Sequence, residues 1–175
     1  WSSDVCSSDL GGDGSVREAV SALLYQDVCF AVFPFGTGND FARALGIPTD
    51  PAGAVQQLLF GKQVKVDAVR ANDNYFINVA GLGFDVEVLI QTEKFKKRFG
   101  DKSAYMMGLI QALVHLKTRH LTVEYEGKRE EYDAMIASVG NGNYIGGGML
   151  ALPEADCTDG LLDVCLMHKD RKSVV

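Results

Sequence analysis

No run of about 18 consecutive apolar residues occurs in the chain, so a helical membrane span is not expected. The longest apolar stretch, Ala104–Leu116, is interrupted by Gln111 and His115. A basic excess is also missing: Lys+Arg 17 against Asp+Glu 23 leaves a net charge of −6. Phosphate backbones are held by clustered Lys and Arg, so nucleic acid is not an expected partner. Proline (4) and cysteine (4) are scarce, and no CxxC spacing occurs. That argues against a disulfide framework or a zinc site and suits reduced, buried thiols in a cytosolic protein. There is no GxxxxGK[ST] loop, hence no P-loop lysine, and no GxGxxG dinucleotide fingerprint. What the 175 residues do hold is glycine (19) and 47% hydrophobic side chains, enough for the core of one large domain or two small ones.

The first ten residues, WSSDVCSSDL, are polar and without periodicity, yet they run straight into a motif that normally follows a buried strand. DVCSSDL is also the translation of a common sequencing-adapter oligonucleotide. Residues 1–10 are therefore read as an assembly remnant and set aside from the fold, the other reading being a natural Ser/Asp-rich loop. Without them the balance stays acidic, and Cys29, Cys157 and Cys165 remain.

Two textures follow. Residues 11–65 read as an α/β, nucleotide-binding, Rossmann-like half. Val16, Ala19, Val20, Leu23 and Leu24 repeat at helical spacing, predicting a helix over Val16–Tyr25; Val28–Phe33 is a strand-like run ending at Pro34. Asp50-Pro51 ahead of Val55, Leu58 and Leu59, with Gly61 behind, predicts a capped helix. Residues 66–175 read as a largely antiparallel, β-sandwich-like half. Val64 and Val66, Tyr75–Val79, Leu121-Val123-Tyr125, Tyr132-Ala134-Ile136-Ser138 and Leu161–Met167 are expected strands, and Glu126–Arg129 a hairpin turn. Ser103–Thr118 is an expected helix with Tyr105, Leu109, Ala112, Leu113 and Leu116 on one side. The fold class is thus α/β passing into α+β, in two parts.

Three glycine-rich segments carry the candidate chemistry. Gly11-Gly12-Asp13-Gly14-Ser15 stands directly before the first helix; bare glycines let N–H groups approach an anion, and a helix N-terminus adds positive charge, so phosphate is the natural guest. An ordinary glycine turn with Ser15 as the cap fits as well. Pro34–Arg43, PFGTGNDFAR, repeats the strand–glycine–helix pattern with Asn39 as N-cap. Thr37 offers a hydroxyl and Asp40 a carboxylate for a metal or water, though Asp40 also suits a helix first turn and Arg43 a solvated helix face. Asn78–Asp85, NVAGLGFD, places Asp85 beyond two glycines, where it would join Asp13 and Asp40. Three acids around a phosphate call for a divalent cation with oxygen ligands, Mg²⁺ being usual.

GGDGS, PFGTGNDFARALGIP, NVAGLGFD, and then NGNYIGGGM with a later Pro and TDGLLDV together resemble the diacylglycerol kinase catalytic family, which includes bacterial lipid kinases and sphingosine and ceramide kinases. GGDG alone is shared with NAD kinases and phosphofructokinases; the second block and DGLLDV are far more specific. The resemblance implies ATP-dependent phosphorylation of a lipid hydroxyl, most simply diacylglycerol to phosphatidic acid in phospholipid biosynthesis. It implies that Gly11, Gly12, Asp13, Gly14, Ser15, Val16 and Arg17 wrap the ATP phosphates, that Thr37 contacts the nucleotide, and that Asp13, Asp40 and Asp85 form an acid–water–Mg²⁺ network. A second, structural metal site would take the Asp159 side chain with main-chain oxygens of Asp156 and Leu161, although spacing alone suits a plain Asp-Gly turn.

The family usually has Thr where Ser15 stands, a change that keeps the hydroxyl. Its opening strand and helices are expected before Gly11 and its general base, in a late DGE-type motif, after Val175, so the 175 residues alone are expected to be inactive. The alternatives are an NAD-kinase-like phosphotransferase and a catalytically silent nucleotide- or lipid-binding module. Lys94, Lys96, Lys97, Arg98 and Lys102 precede the apolar Ala104–Leu116 stretch, either a basic collar for anionic lipid or a solvated loop beside a core helix. His115, His120 and His168 have no acid at ligand spacing, so no metal or acid–base role is expected of them. Lipid at a membrane surface is the expected partner, β-edge strands make a homodimer plausible, and a cytosolic enzyme peripheral to the inner membrane face is the expected location.

Overall fold

The computed structural model describes residues 5–99, 107–108, 110–112 and 117–168; for residues 5–10, 84–86, 89 and 96–99 the description covers the backbone alone. Tyr105, Leu109, Leu113, Leu116, Lys102 and His115 lie outside the described residues, so the predicted Ser103–Thr118 helix is seen only in part; residues 107–108 and 110–112 are helical. Two compact units result: residues up to Ala80 with Val139–Asp163, and Gly81–Ser138 with the residues from Val164. The reading of the sequence divides the chain once, near residue 65, whereas the chain leaves the first unit and returns to it. No described helix is long and apolar enough to cross a membrane.

The first unit opens with β1 (Val5–Gly11), α1 (Asp13–Leu23) and β2 (Val28–Pro34). β1 and β2 pair in parallel from Val5↔Val28 to Gly11↔Pro34. Parallel neighbours need a crossover, and α1 supplies it. A strand therefore stands before Gly11, inside the stretch set aside on composition; its pairing rests on backbone groups, to which side-chain polarity is a poor guide. α1 begins three residues earlier than the apolar period suggests, because its exposed first turn carries no apolar signal; Val16 is its buried residue.

α2 (Asp40–Ala44) and α3 (Pro51–Phe60) follow. α3 has the expected ends: the Asp50 carboxylate accepts from Gly53 N at 2.8 Å, Pro51 fills the first turn, and Gly61 stops the helix. Ala54 is its buried contact, and Leu59 and Phe60 are exposed. The strand expected at Val64 and Val66 is absent: Val66 packs against the core while Val64 is exposed, so the two do not share a sheet face. The strand expected over Tyr75–Val79 is divided between β4 (Asn74–Phe76), which forms a hairpin with β3 (Val69–Ala71), and β5 (Val79–Gly83). Val16, Phe41, Ile77 and Cys157 form the buried centre, with Val20, Phe30, Val32 and Val66 around it.

In the second unit, α4 (Phe84–Phe99) was not anticipated, and it converts the basic run from Lys94 to Arg98 from loop to helix. β6 (Arg119–Tyr125) and β7 (Lys128–Gly140) make the expected antiparallel hairpin, closed by Glu126 and Gly127 at φ +48° and +75°. Two central residues at positive φ match the right-handed twist of the strands they join. β10 (Asp163–His168), β7 and β5 lie in that order in one sheet, with β6 also on β7. The short pair β8 (Tyr144–Ile145) and β9 (Met149–Leu150) belongs to the first unit.

Candidate active site

Two glycine turns meet main chain to main chain. β1 ends at Gly11 and α1 starts at Asp13; β2 ends at Pro34 and α2 starts at Asp40. Phe35 N donates to Gly11 O at 3.1 Å. A Cβ added to Gly12 would lie 2.9 Å from the Gly36 Cα, and one on Gly36 would run into the Gly12 Cα. Glycine is needed at both positions because no side chain fits between the strand ends.

Asn39 holds the second turn together. Its Oδ1 accepts from Gly36 N at 2.8 Å, and its Nδ2 donates to Gly36 O at 2.8 Å and Pro34 O at 3.2 Å. It occupies the expected N-cap position of α2, but its backbone is left-handed (φ +55°) and its side chain does not cap the helix. Asn tolerates that conformation, and its amide satisfies the turn instead.

The N-terminus of α1 is open. Gly12 is its N-cap and no side chain bonds to its first turn. Ser15, inside the helix rather than ahead of it, is exposed and is not the cap. Nothing lies within 4 Å of a Cβ placed on Gly14. The N–H groups of a first turn have no intrahelical partner, so those of Asp13, Gly14 and Ser15 are offered to a ligand. Val16 is buried and presents only its main chain; Arg17 and Thr37 are exposed, Thr37 beside Phe35 at the tip of the second turn.

Asp13 and Asp40 converge over Gly38, where a Cβ would stand 2.7 Å from Asp13 Oδ2 and 3.5 Å from Asp40 Oδ2. Asp13 Oδ1 accepts from Phe41 N at 3.0 Å. Asp40, 6% exposed, accepts from Gly147 N at 2.9 Å and Gly148 N at 2.6 Å. Arg43 is exposed, as a solvated helix charge would be, and its Nε donates to Gly38 O at 3.3 Å. Among the described residues neither carboxylate is ion-paired. Main-chain N–H groups offset part of the repulsion between the two acids, and a divalent cation would relieve the rest.

Asp85 is the second residue of α4, and its side chain lies outside the described residues. The glycine loop expected around it is strand instead, with Gly81 and Gly83 in β5. Gly83 has φ +105°, and a Cβ there would meet the Met135 carbonyl. An acid that spacing did not single out is Asp67. Its N donates to Cys157 O, and its Oδ2 accepts from Gly160 N, each at 2.8 Å. Its one mark in the sequence is that it follows Val64-Lys65-Val66.

The Asp156–Leu161 segment is a sequence of local turns. Asp156 Oδ1 accepts from Thr158 N at 2.9 Å and Thr158 Oγ1 at 2.7 Å, and Asp159 Oδ1 accepts from Leu161 N at 2.8 Å. Gly160 has φ +75°, as an Asp-Gly turn requires. Among the described residues no three His, Cys, Asp or Glu side chains cluster as metal ligands. The Cys157 thiol is pushed up to about 11, first by burial and then by the charge of Asp156, so it stays protonated at neutral pH. Gly147 and Gly148, given no role from spacing, are part of the Asp40 environment.

A family profile described as the diacylglycerol kinase catalytic domain matches residues 9–71, which include both glycine turns and both acids. Another, described as the YegS C-terminal NAD kinase beta sandwich-like domain, matches residues 78–175. A protein of Klebsiella pneumoniae (strain 342) named "Probable lipid kinase YegS-like" is 37% identical over 156 residues, covering 87% of this chain and 52% of that protein. One of the same name from Pseudomonas putida is 35% identical over 166 residues, covering 94% and 56%. A crystal structure described as a diacylglycerol kinase from Bacillus anthracis str. Sterne superposes with a TM-score of 0.71 at 29% identity, over 93% of this chain and 54% of that one. The chain thus spans about half the length of the curated relatives it matches. With one profile covering its β-rich part and the other its glycine turns, the chain belongs to the diacylglycerol kinase catalytic-domain family.

Proposed function

We propose that the chain provides the nucleotide- and cation-holding part of an ATP-dependent lipid kinase, which transfers the γ-phosphate to a lipid hydroxyl, most simply of diacylglycerol. One arrangement carries this reading: an uncapped helix N-terminus at Gly12–Ser15 beside two carboxylates that converge on Gly38. The residues fit a magnesium nucleotide. The approach at Gly14 is open beside first-turn N–H groups that suit phosphate, and the Asp13 and Asp40 carboxylate oxygens that face the bare Gly38 suit Mg²⁺. When bound, Mg·ATP supplies the phosphoryl group and the positive charge between the acids.

The chain's own part is positioning. First-turn amides of α1 orient the phosphates, with Gly14 leaving the approach open and Ser15 and Thr37 offering hydroxyls. Asp13 is held by Phe41 N and Asp40 by Gly147 N and Gly148 N, so both carboxylates keep their place. Phosphoryl transfer asks for little more than positioning and charge stabilisation. Lipid at a membrane surface is the proposed acceptor, in keeping with the names of the relatives.

The test is phosphate transfer by the whole protein from γ-labelled ATP, with Mg²⁺ and diacylglycerol-containing vesicles, followed by chloroform extraction. Label is expected in the organic phase and is expected to fall about 100-fold or more in Asp13→Asn. Label on a water-soluble dinucleotide, or an Asp13→Asn protein working at the unmodified rate, would overturn the reading.

A further inference from the structure

Asp40 is a buried carboxylate that accepts two main-chain hydrogen bonds, and what holds it is distant in sequence. Its two oxygens accept from N–H groups 107 and 108 residues away, those of Gly147 and Gly148. Gly146, Gly147 and Gly148 have φ of +63°, +91° and +109°, three successive residues in a region that L side chains rarely adopt. β8 and β9 pair on either side of them, through Ile145↔Met149 and Tyr144↔Leu150, and so fix the ends of the turn. The bend aims two consecutive N–H groups at one carboxylate. Arg43 lies beside the same turn: a Cβ on Gly148 would lie 3.5 Å from its Nε and 3.6 Å from its Cζ.

Each carboxylate oxygen has two lone pairs, so an amide on each still leaves one free per oxygen. With both oxygens pinned, the plane of the carboxylate is fixed and Oδ2 stays beside the Asp13 Oδ2 over Gly38. A carboxylate held from one side only could rotate and present its free lone pairs elsewhere. We infer that the Gly146–Gly148 turn is the positioning element of Asp40, and that cation binding between Asp13 and Asp40 depends on it. This rests on the reading of those two acids as a cation-holding pair.

The test uses ¹⁵N-labelled chain and Mn²⁺ alone as a paramagnetic probe. In the wild type, Mn²⁺ at low occupancy is expected to broaden the amides of Gly38, Phe41, Gly147 and Gly148 first. Gly147→Ala, which cannot keep φ +91° without strain, is expected to raise the Mn²⁺ dissociation constant about tenfold, as loss of one charge-assisted hydrogen bond would. Gly127→Asn, at φ +75° in the β6–β7 turn with nothing within 4 Å of an added Cβ, is expected to bind as the wild type does, since Asn tolerates that backbone. A folded Gly147→Ala protein binding Mn²⁺ with undiminished affinity overturns the inference, as does a wild type with no broadening at these amides. Should Gly147→Ala lose its folded spectrum, diamagnetic Mg²⁺ on the wild type decides: shifts at Gly147 and Gly148 along with Phe41 support the dependence, and a shift at Phe41 alone refutes it. Metal binding that behaves as expected in a protein transferring no phosphate would keep the positioning role and remove the kinase reading.

Discussion

Two groups of aspartates in the same unit satisfy their oxygens in opposite ways. Asp156 and Asp159 take N–H and O–H groups from residues two positions on, in turns that any short peptide of that sequence could form. Asp13 and Asp40 take theirs from 28, 107 and 108 residues away, so their environment exists only when β1, α1, β2 and the β8–β9 turn are assembled. A local turn explains its own aspartates. Carboxylates gathered by the whole unit, with lone pairs to spare and neither ion-paired among the described residues, are what the proposed cation would bind.

The largest effect expected from this contrast lies at the glycines. Gly36→Ala sets a methyl against the Gly12 Cα, and neither backbone can withdraw, because both leave strands fixed by the Gly11↔Pro34 register. A loss of about 3 kcal/mol or more is expected in urea unfolding. Gly14→Ala, with nothing within 4 Å and a helical backbone, is expected to stabilise by about 0.5–1 kcal/mol. Equal effects of the two substitutions would show that the turns are not in contact.

A smaller effect separates the acids themselves. Asp40→Ala removes a buried carboxylate that accepts two part-buried hydrogen bonds, from the N–H groups of Gly147 and Gly148, and should cost about 1.5–3 kcal/mol. Asp156→Ala undoes an exposed turn whose donors turn to water, and about 1 kcal/mol or less is expected. The comparison of unfolding free energies fails if Asp156→Ala is the costlier change.

The same contrast marks how far the sequence could be read. β2, the capped helix α3 and the β6–β7 hairpin are legible because apolar spacing and turn residues agree there. So are the two glycine turns, whose composition is the constraint itself. α4 escapes because Gln91 and Thr92 share its buried positions with Val88, which interrupts the apolar period, and because it starts directly after a strand glycine. Val64 and Val66 mislead because two alternating residues are too few to define a sheet face. The Asp40 clamp has no local signature beyond three consecutive glycines, which announce positive φ but not the distant carboxylate that makes use of it.

Register also creates partners that spacing cannot show, and the smallest prediction concerns one of them. His120 has no acid close by in sequence, yet it lies opposite Asp133 on the neighbouring strand. Its Nδ1 is 3.0 Å from Asp133 Oδ1 and its Nε2 3.5 Å from Glu131 Oε2. The hydrogen bond to Asp133 raises the His120 pKa, partial desolvation opposes it, and the charges of Asp133 and Glu131 add to the rise. A folded value above the unfolded one means that the hairpin gains stability from the protonated ring. That gain is complete below the ordinary histidine value of about 6.5 and is lost as pH climbs through the folded value. The side chains are exposed, so the gain is small and screened by salt. An NMR titration of the His120 Cε1 proton should show a midpoint above about 6.5 in the wild type and a lower one in Asp133→Asn. A wild-type midpoint at or below that value would mean that the cross-strand pair does not persist in solution, and that the hairpin, unlike the Asp40 site, leaves its charges to water.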